Sequence, residues 1–241
     1  RARLEGHSFR VTKEECLDLP PKVYIRREVE WVPEQRAMYQ QIKTELFAQL
    51  ADGRIVEAPM AITQLMKMQQ VLCGFIQPED GPWVEVPNNR ITTTVDTILE
   101  AQGKTIVWAR YRADLSRLAQ ALTKAHIGFR EYHGGVSSAE RMENLQSFKT
   151  DPKVRVFLAQ PQSGGTGLNL AEADTAIYFS NDFNADTRWQ SEDRIHRIGQ
   201  TNRCTYIDLV VPDSIDDKIL KALRDKRNVA DTVLAVKGLL E

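Results

Sequence analysis

The chain has 241 residues with 42% hydrophobic and 27% charged, the composition of a soluble globular protein with enough apolar content for one large core. Its formal net charge of −1 argues mildly against a nucleic-acid binder but leaves room for a local basic groove, because phosphate contacts need only a few well-placed Arg and Lys. No apolar run is long enough to span a membrane, and Cys16, Cys73 and Cys204 are too scattered for a disulfide framework or a zinc site, which points to a reducing compartment and no metal.

The start, "RARLEGHSFRVTKEE", has neither an initiating Met nor a secretory apolar region, and reads as a piece cut from a longer protein. A Pro-rich entry follows, then two helical patterns. In the first, Pro33 takes a first-turn position and Met38, Ile42, Leu46 and Phe47 share one face. In the second, "APMAITQLMKMQQVLCGFI", the apolar positions are Ile62, Leu65, Met66, Met68 and Leu72, a Met-rich stripe better suited to core packing than to binding. The turn formers of "QPEDGPWVEVPNN" mark a boundary near residue 88.

Beyond it the rhythm changes. Short runs rich in Val, Ile, Phe and Tyr predict strands over 105–109, 129–133, 154–159, 175–180 and 204–211. Helical patterns over 112–125, 137–149 and 184–198 alternate with them, which is the pattern of a mostly parallel α/β sheet covered on both faces. A last helix starts behind Asp213-Ser214.

Two glycine-containing stretches could hold phosphate. Gly103-Lys104-Thr105 imitates a phosphate-binding loop, but Ile98 stands where the first glycine is needed, and a helix precedes the triplet while a strand follows it. Gly103 reads instead as a helix C-terminal residue and Lys104-Thr105 as a strand entrance. The second stretch, "QSGGTGLNLAEADTAIYF", follows a strand and would let a phosphate or sugar approach the backbone, or would simply make a tight turn. A dinucleotide site fails, because Leu170 occupies the third glycine position.

In "RWQSEDRIHRIGQTNR", Arg194 and Arg197 are three apart and would project from one helical face, with Gly199 ending the helix. They could clamp a transferring phosphoryl group, or form a solvated face paired with Glu192 and Asp193.

"QSEDRIHRIGQ" closely resembles helicase motif VI of the Swi/Snf-type branch of superfamily 2. "SGGTGLNLAEADTAIYFSNDFN" is similar to its motif V, "KTIVWARY" to motif IV and "YHGGVSSAERMENLQSFK" to motif IVa, in the family's order. "FRVTKEECLDLPPK" and "QLMKMQQVLC" resemble the lead-in and the helical insertion, so the likeness covers nearly the whole chain. It implies an α/β fold: a RecA-like, mostly parallel sheet flanked by helices, with an N-terminal helical extension and a C-terminal helix. Residues 1–88 would be lead-in and insertion, 89–212 the second RecA-like lobe and 213–241 a helical tail.

The resemblance further implies the rear half of an ATP-driven motor on double-stranded DNA. ATP and Mg²⁺ would be held mainly by an upstream lobe, since no true phosphate loop and no Asp-Glu-x-His box occur here. It gives Arg194 and Arg197 the part of arginine fingers. Gln190, Asp193 and Gln200 would support that segment, and Gly165, Gly167 and Asn169 would couple the cleft to the DNA groove. Arg110 and His133-Gly134-Gly135 would touch the DNA backbone. Gln160 and Pro161 replace the usual hydroxyl residue before motif V, so Gln162 or Ser163 would take over that contact; Phe183 would stack at the groove or pack in the core. These departures point to a compact viral or bacterial type, a monomer working in the cytoplasm, or in the nucleus if the source is eukaryotic. A stand-alone nucleic-acid-binding or scaffolding module remains the alternative, and the paired arginines speak against it.

Overall fold

The structure is a computed structural model that describes residues 18–51, 58–78, 80–165 and 167–225. Six strands form one parallel sheet in the order β1-β8-β7-β4-β6-β5: β1 Lys22–Glu28, β4 Lys104–Trp108, β5 Phe129–Tyr132, β6 Val156–Ala159, β7 Ala173–Tyr178 and β8 Cys204–Val210. β2 (Phe75–Ile76) and β3 (Val84–Glu85) make a small antiparallel hairpin apart from the sheet. Among the described residues seven helices surround these strands: α1 Pro33–Ala51, α2 Ala58–Cys73, α3 Arg90–Glu100, α4 Arg112–Lys124, α5 Ser138–Thr150, α6 Ala185–Glu192 and α7 Ile215–Arg224.

The central strands read as unbroken apolar runs because both of their faces are covered. Alternate residues of β4 enter separate cores, as the pleat requires: Val107 joins one cluster, Ile106 and Trp108 the other. The first cluster also takes Tyr39, Ile42 and Leu46 from α1, Leu65, Met68 and Leu72 from α2, Leu115, Leu118 and Leu122 from α4, and Ile215 and Ile219 from α7. Opposite lie Phe148 of α5, Ile195, and the inward residues of β5 to β8. β1, α1 and α2 come from residues 1–88, yet they build the same sheet and the same core as the rest.

Several sequence expectations need correcting. Met38 and Ile62 are exposed, and the buried stripe of α1 runs through Gln35, Tyr39, Ile42 and Leu46. Gln35 enters it because its amide donates to the carbonyls of Val71 (3.0 Å) and Leu72 (3.2 Å). β1 has no strand-like alternation, since it is an edge strand with Tyr24 and Ile25 exposed. Gly103 does not cap a helix: α3 ends on Ala101, and a side chain at 103 would collide with the Asp174 carboxylate. Lys104 donates to the carbonyls of Phe148 and Asp151, so it belongs to the sheet's margin and not to a phosphate loop. Helix α6 ends at Glu192, well short of residue 198, which leaves Arg194 and Arg197 in turns. The predicted last helix is seen over Ile215–Arg224 behind Ser214, whose Oγ accepts from the Asp216 N–H; its predicted remainder lies outside the described residues.

Candidate functional site

All six strands of the sheet point the same way, so the segments after β4, β5, β6 and β7 emerge at one edge, where open parallel sheets hold their ligands. Arg110 follows β4. Its N–H donates to Ser180 Oγ at 2.8 Å, its guanidinium lies 4.4 Å from the centre of the Phe183 ring, and its Nη1 donates to Gln69 Oε1 at 3.1 Å. Gln69, buried in α2, also receives the Tyr111 hydroxyl and donates to the carbonyl of Asn181, so this amide orients the whole corner. Nothing in the sequence marks it beyond a polar residue between two core positions. Phe183 is partly buried against the core beneath Arg110, and therefore both packs and carries the cation.

After β5, the Gly135 N–H donates to His133 Nδ1 at 3.0 Å, and His133 Nε2 lies 3.7 Å from Glu131. Gly134 faces open space, whereas a side chain at Gly135 would strike the guanidinium of Arg112. Arg112 is thus the exposed cation at this turn, a residue that sequence reasoning passed over. After β6, the Gln160 amide donates to the Arg110 carbonyl at 2.8 Å and fastens two strand ends together. Gln162 is exposed, with its amide on Asp182 at 2.6 Å, and the Ser163 N–H donates to the Gln160 carbonyl within a short 3₁₀ turn that includes Gly165.

The arginine segment lies elsewhere, along the loop that runs from the carboxyl end of β6 to the amino end of β7. Gly167 gives that loop a left-handed residue, at φ +64°. The Leu170 N–H donates to the Arg194 carbonyl at 3.0 Å, and Arg197 Nη1 donates to the Leu168 carbonyl at 3.0 Å. Gln200, buried, donates to the carbonyls of Ala173 (2.8 Å), Ala171 (3.2 Å) and Ile195 (3.3 Å) and so closes the turn on β7. Asn169 is exposed, and its Oδ1 accepts from the Ala171 N–H. Asp193 ends α6, and Gln190 sits exposed on its last turn, so the link to the glycine loop comes from Arg194, Arg197 and Gln200. Burial first, and the charge of Arg197 second, lower the pKa of Arg194 from its ordinary value. Two partly buried guanidiniums that repel each other make a place where an anion would relieve the strain of like charge.

Glu192 is no surface partner of these arginines. It is buried, where it accepts from Arg188 Nε (2.9 Å), the Tyr24 hydroxyl (2.8 Å) and Lys22 (3.3 Å). Arg188 also grips Asp208 with two nitrogens and stacks 3.4 Å from the centre of the Tyr178 ring. Pro20 of the lead-in meets the arginine turn through its carbonyl, 2.9 Å from His196 Nε2. A second buried arginine, Arg90, sits at the first position of α3 and reaches the carbonyls of Leu72, Phe179 and Leu209 and the carboxylate of Asp216. A cation at a helix N-terminus opposes the helix dipole, and that is the one signal that could have flagged it.

A parallel sheet in this order, with loops gathered at its carboxyl edge and an arginine turn bound to a glycine loop, defines a RecA-like lobe. Residues 90–199 match the family model for the helicase conserved C-terminal domain. The C-terminal part of the Fun30 ATPase domain shares the fold, with a TM-score of 0.73 and 20% identity over 90% of this chain and 97% of that one. The Sulfolobus solfataricus SWI2/SNF2 ATPase core in complex with dsDNA gives a TM-score of 0.72 at 24% identity, covering 93% of this chain and 48% of that one. Among curated relatives, Chromatin-remodeling ATPase INO80 of Cryptococcus neoformans is 35% identical over 123 residues, 49% of this chain and only 7% of that protein. Residues 90–199 therefore match a helicase conserved C-terminal domain, and the chain shares its fold with the C-terminal part of the Fun30 ATPase domain and with the SWI2/SNF2 ATPase core.

Proposed function

We propose that this chain is the second motor lobe of an ATP-dependent translocase or helicase on double-stranded DNA. The observation that carries the proposal is the pairing of Arg194 and Arg197 on a turn bonded directly to the glycine loop through Leu168 and Leu170. A solved neighbour is a SWI2/SNF2 ATPase core with dsDNA, and a relative is named a chromatin-remodeling ATPase; both agree with this reading. ATP supplies the phosphoryl group when bound, with Mg²⁺ offsetting its charge, and an upstream lobe of the same protein would hold both. By itself this lobe would not turn over ATP.

Arg194 and Arg197 would face the γ-phosphate across the cleft and stabilise the charge that develops there. One guanidinium has five N–H donors, so the bond from Arg197 to Leu168 leaves others for an anion. Loss of the phosphate charge would release that grip, and the glycine loop would carry the change to the carboxyl edge. There Arg110, Arg112 and the His133 turn would meet DNA phosphates, holding position without reading bases. The lobe would act within a monomeric motor, in the nucleus of a eukaryote or the cytoplasm of a bacterium or infected cell.

In the intact protein, Arg197→Ala should lower DNA-stimulated ATP turnover by about 10³-fold or more while duplex affinity stays within about twofold. Equal loss of both would sink the finger assignment, and no loss of turnover would favour a binding module.

A further inference from the structure

We propose that the cleft between the β2–β3 hairpin and α4 binds single-stranded nucleic acid, with Trp83 as the platform for a base. It rests on nucleic acid being this lobe's substrate, but concerns a face that the arginine turn does not touch. The cleft has a volume of about 1030 Å³. One wall is aromatic: Trp83 stands edge-on to Phe75 with ring centroids 6.4 Å apart, and Phe75 packs likewise on Tyr111 at 5.3 Å. Trp83 is 37% exposed, whereas Phe75 behind it is buried, so the indole is presented from a fixed backing.

The hairpin that carries Trp83 is fastened to the lobe. Arg117 of α4 donates to Glu85 at 3.2 Å and to the Cys73 carbonyl at 2.8 Å, and the Val86 N–H donates to the Gly74 carbonyl. Gln77 closes the tip by donating to the Gly81 carbonyl at 2.6 Å. These bonds fix the backbone on either side of Trp83, whose indole packs on Phe75 and stays partly open to the cleft.

The cations complete the chemistry. Arg112 and Lys124 line the same cleft, together with His133, which stands against Glu131, the carboxylate among its lining residues. Arg112 and His133 also form the turn at the carboxyl edge, so the cleft opens beside the surface assigned to the duplex backbone. An aromatic face next to cations suits a nucleotide unit, since every base offers a π-face and every linkage a phosphate. A duplex keeps its bases stacked inside and cannot use Trp83 in this way. An unpaired strand leaving the duplex can.

The test uses the intact protein that contains this lobe and an oligothymidylate, followed by tryptophan fluorescence and by anisotropy of a labelled strand. Quenching is expected, with Trp83→Ala weakening single-strand binding by about tenfold and Trp83→Phe restoring most of it. Duplex affinity and DNA-stimulated ATP turnover should not change in either variant. Unaltered single-strand affinity in Trp83→Ala overturns the proposal, as does displacement of the oligonucleotide by polyglutamate at equal charge, which would mark an acidic-peptide groove. Failure of the wild type to bind duplex or to hydrolyse ATP would count against the motor reading and leave a Trp83-dependent single-strand response standing.

Discussion

At the scale of single residues, two buried arginines, Arg90 and Arg188, are each held by several partners. Arg188 has Asp208, Glu192 and Asn181 around it and the Tyr178 ring beneath it, all out of water. A buried pair contributes little net stability when intact, because desolvation offsets attraction, but breaking one side strands a charge. Arg188→Met should therefore destabilise the protein by about 3–5 kcal/mol in urea unfolding, and adding Asp208→Leu should recover part of that loss. A cost below about 1 kcal/mol for the single change would show that the cluster rearranges freely. Neither residue was legible as a site in the sequence: Arg188 looks like any helix-surface arginine, and Asp208 interrupts an apolar strand without naming its partner.

At the scale of elements, α4 joins the core, the hairpin and the carboxyl edge. Its first turn carries Asp114, where the helix dipole favours a carboxylate. Burial overrides that preference and raises the Asp114 pKa to about 7, although Arg117, Arg90 and bonds from Ser180 and Cys73 pull it down. The folded state then holds this proton more tightly than the unfolded chain, whose Asp titrates near about 3.9. Stability contributed at this position is retained at low pH and declines as pH rises from about 4 to about 7. Asp114→Asn, which keeps the shape without the charge, should exceed the wild type in stability at pH 8, with the gap narrowing by about 2 kcal/mol at pH 5. A gap independent of pH would mean that the carboxyl is charged throughout. The same helix shows how far local pattern reaches. Its apolar spacing predicted the element nearly to the residue, while the role of Asp114 depends on Cys73 and Ser180, which are remote in sequence.

At the scale of the whole molecule, the proposed duplex binding requires a chain of net charge −1 to concentrate its cations. Arg110 and Arg112 fall at the carboxyl edge and Lys124 at the far end of α4 in the adjoining cleft, while carboxylates such as Asp208 and Asp216 are neutralised inside. Duplex binding should therefore weaken at least about tenfold between about 50 and 200 mM salt, as counterion release requires. Tight binding insensitive to salt would contradict contacts made to the backbone alone.

Five sheet strands and the helices between them could be read from the sequence by themselves, because a strand covered on both faces must be apolar and an amphipathic helix must repeat its apolar positions. The glycine loop and the "QSEDRIHRIGQ" segment were equally plain, and the structure brings them into contact. What only the tertiary structure decided was everything that depends on a remote partner. An edge strand needs one neighbour and no buried pattern, so β1 went unseen until β8 paired with it. Helix α6 ends early because Arg194 is drawn to Leu170 and Gln200 ties Ile195 to β7, bonds no local propensity encodes. Arg112 gains a place at the candidate interface from the turn after β5, and Trp83 from α4, since spacing along a chain states which residues share a face but not what stands opposite.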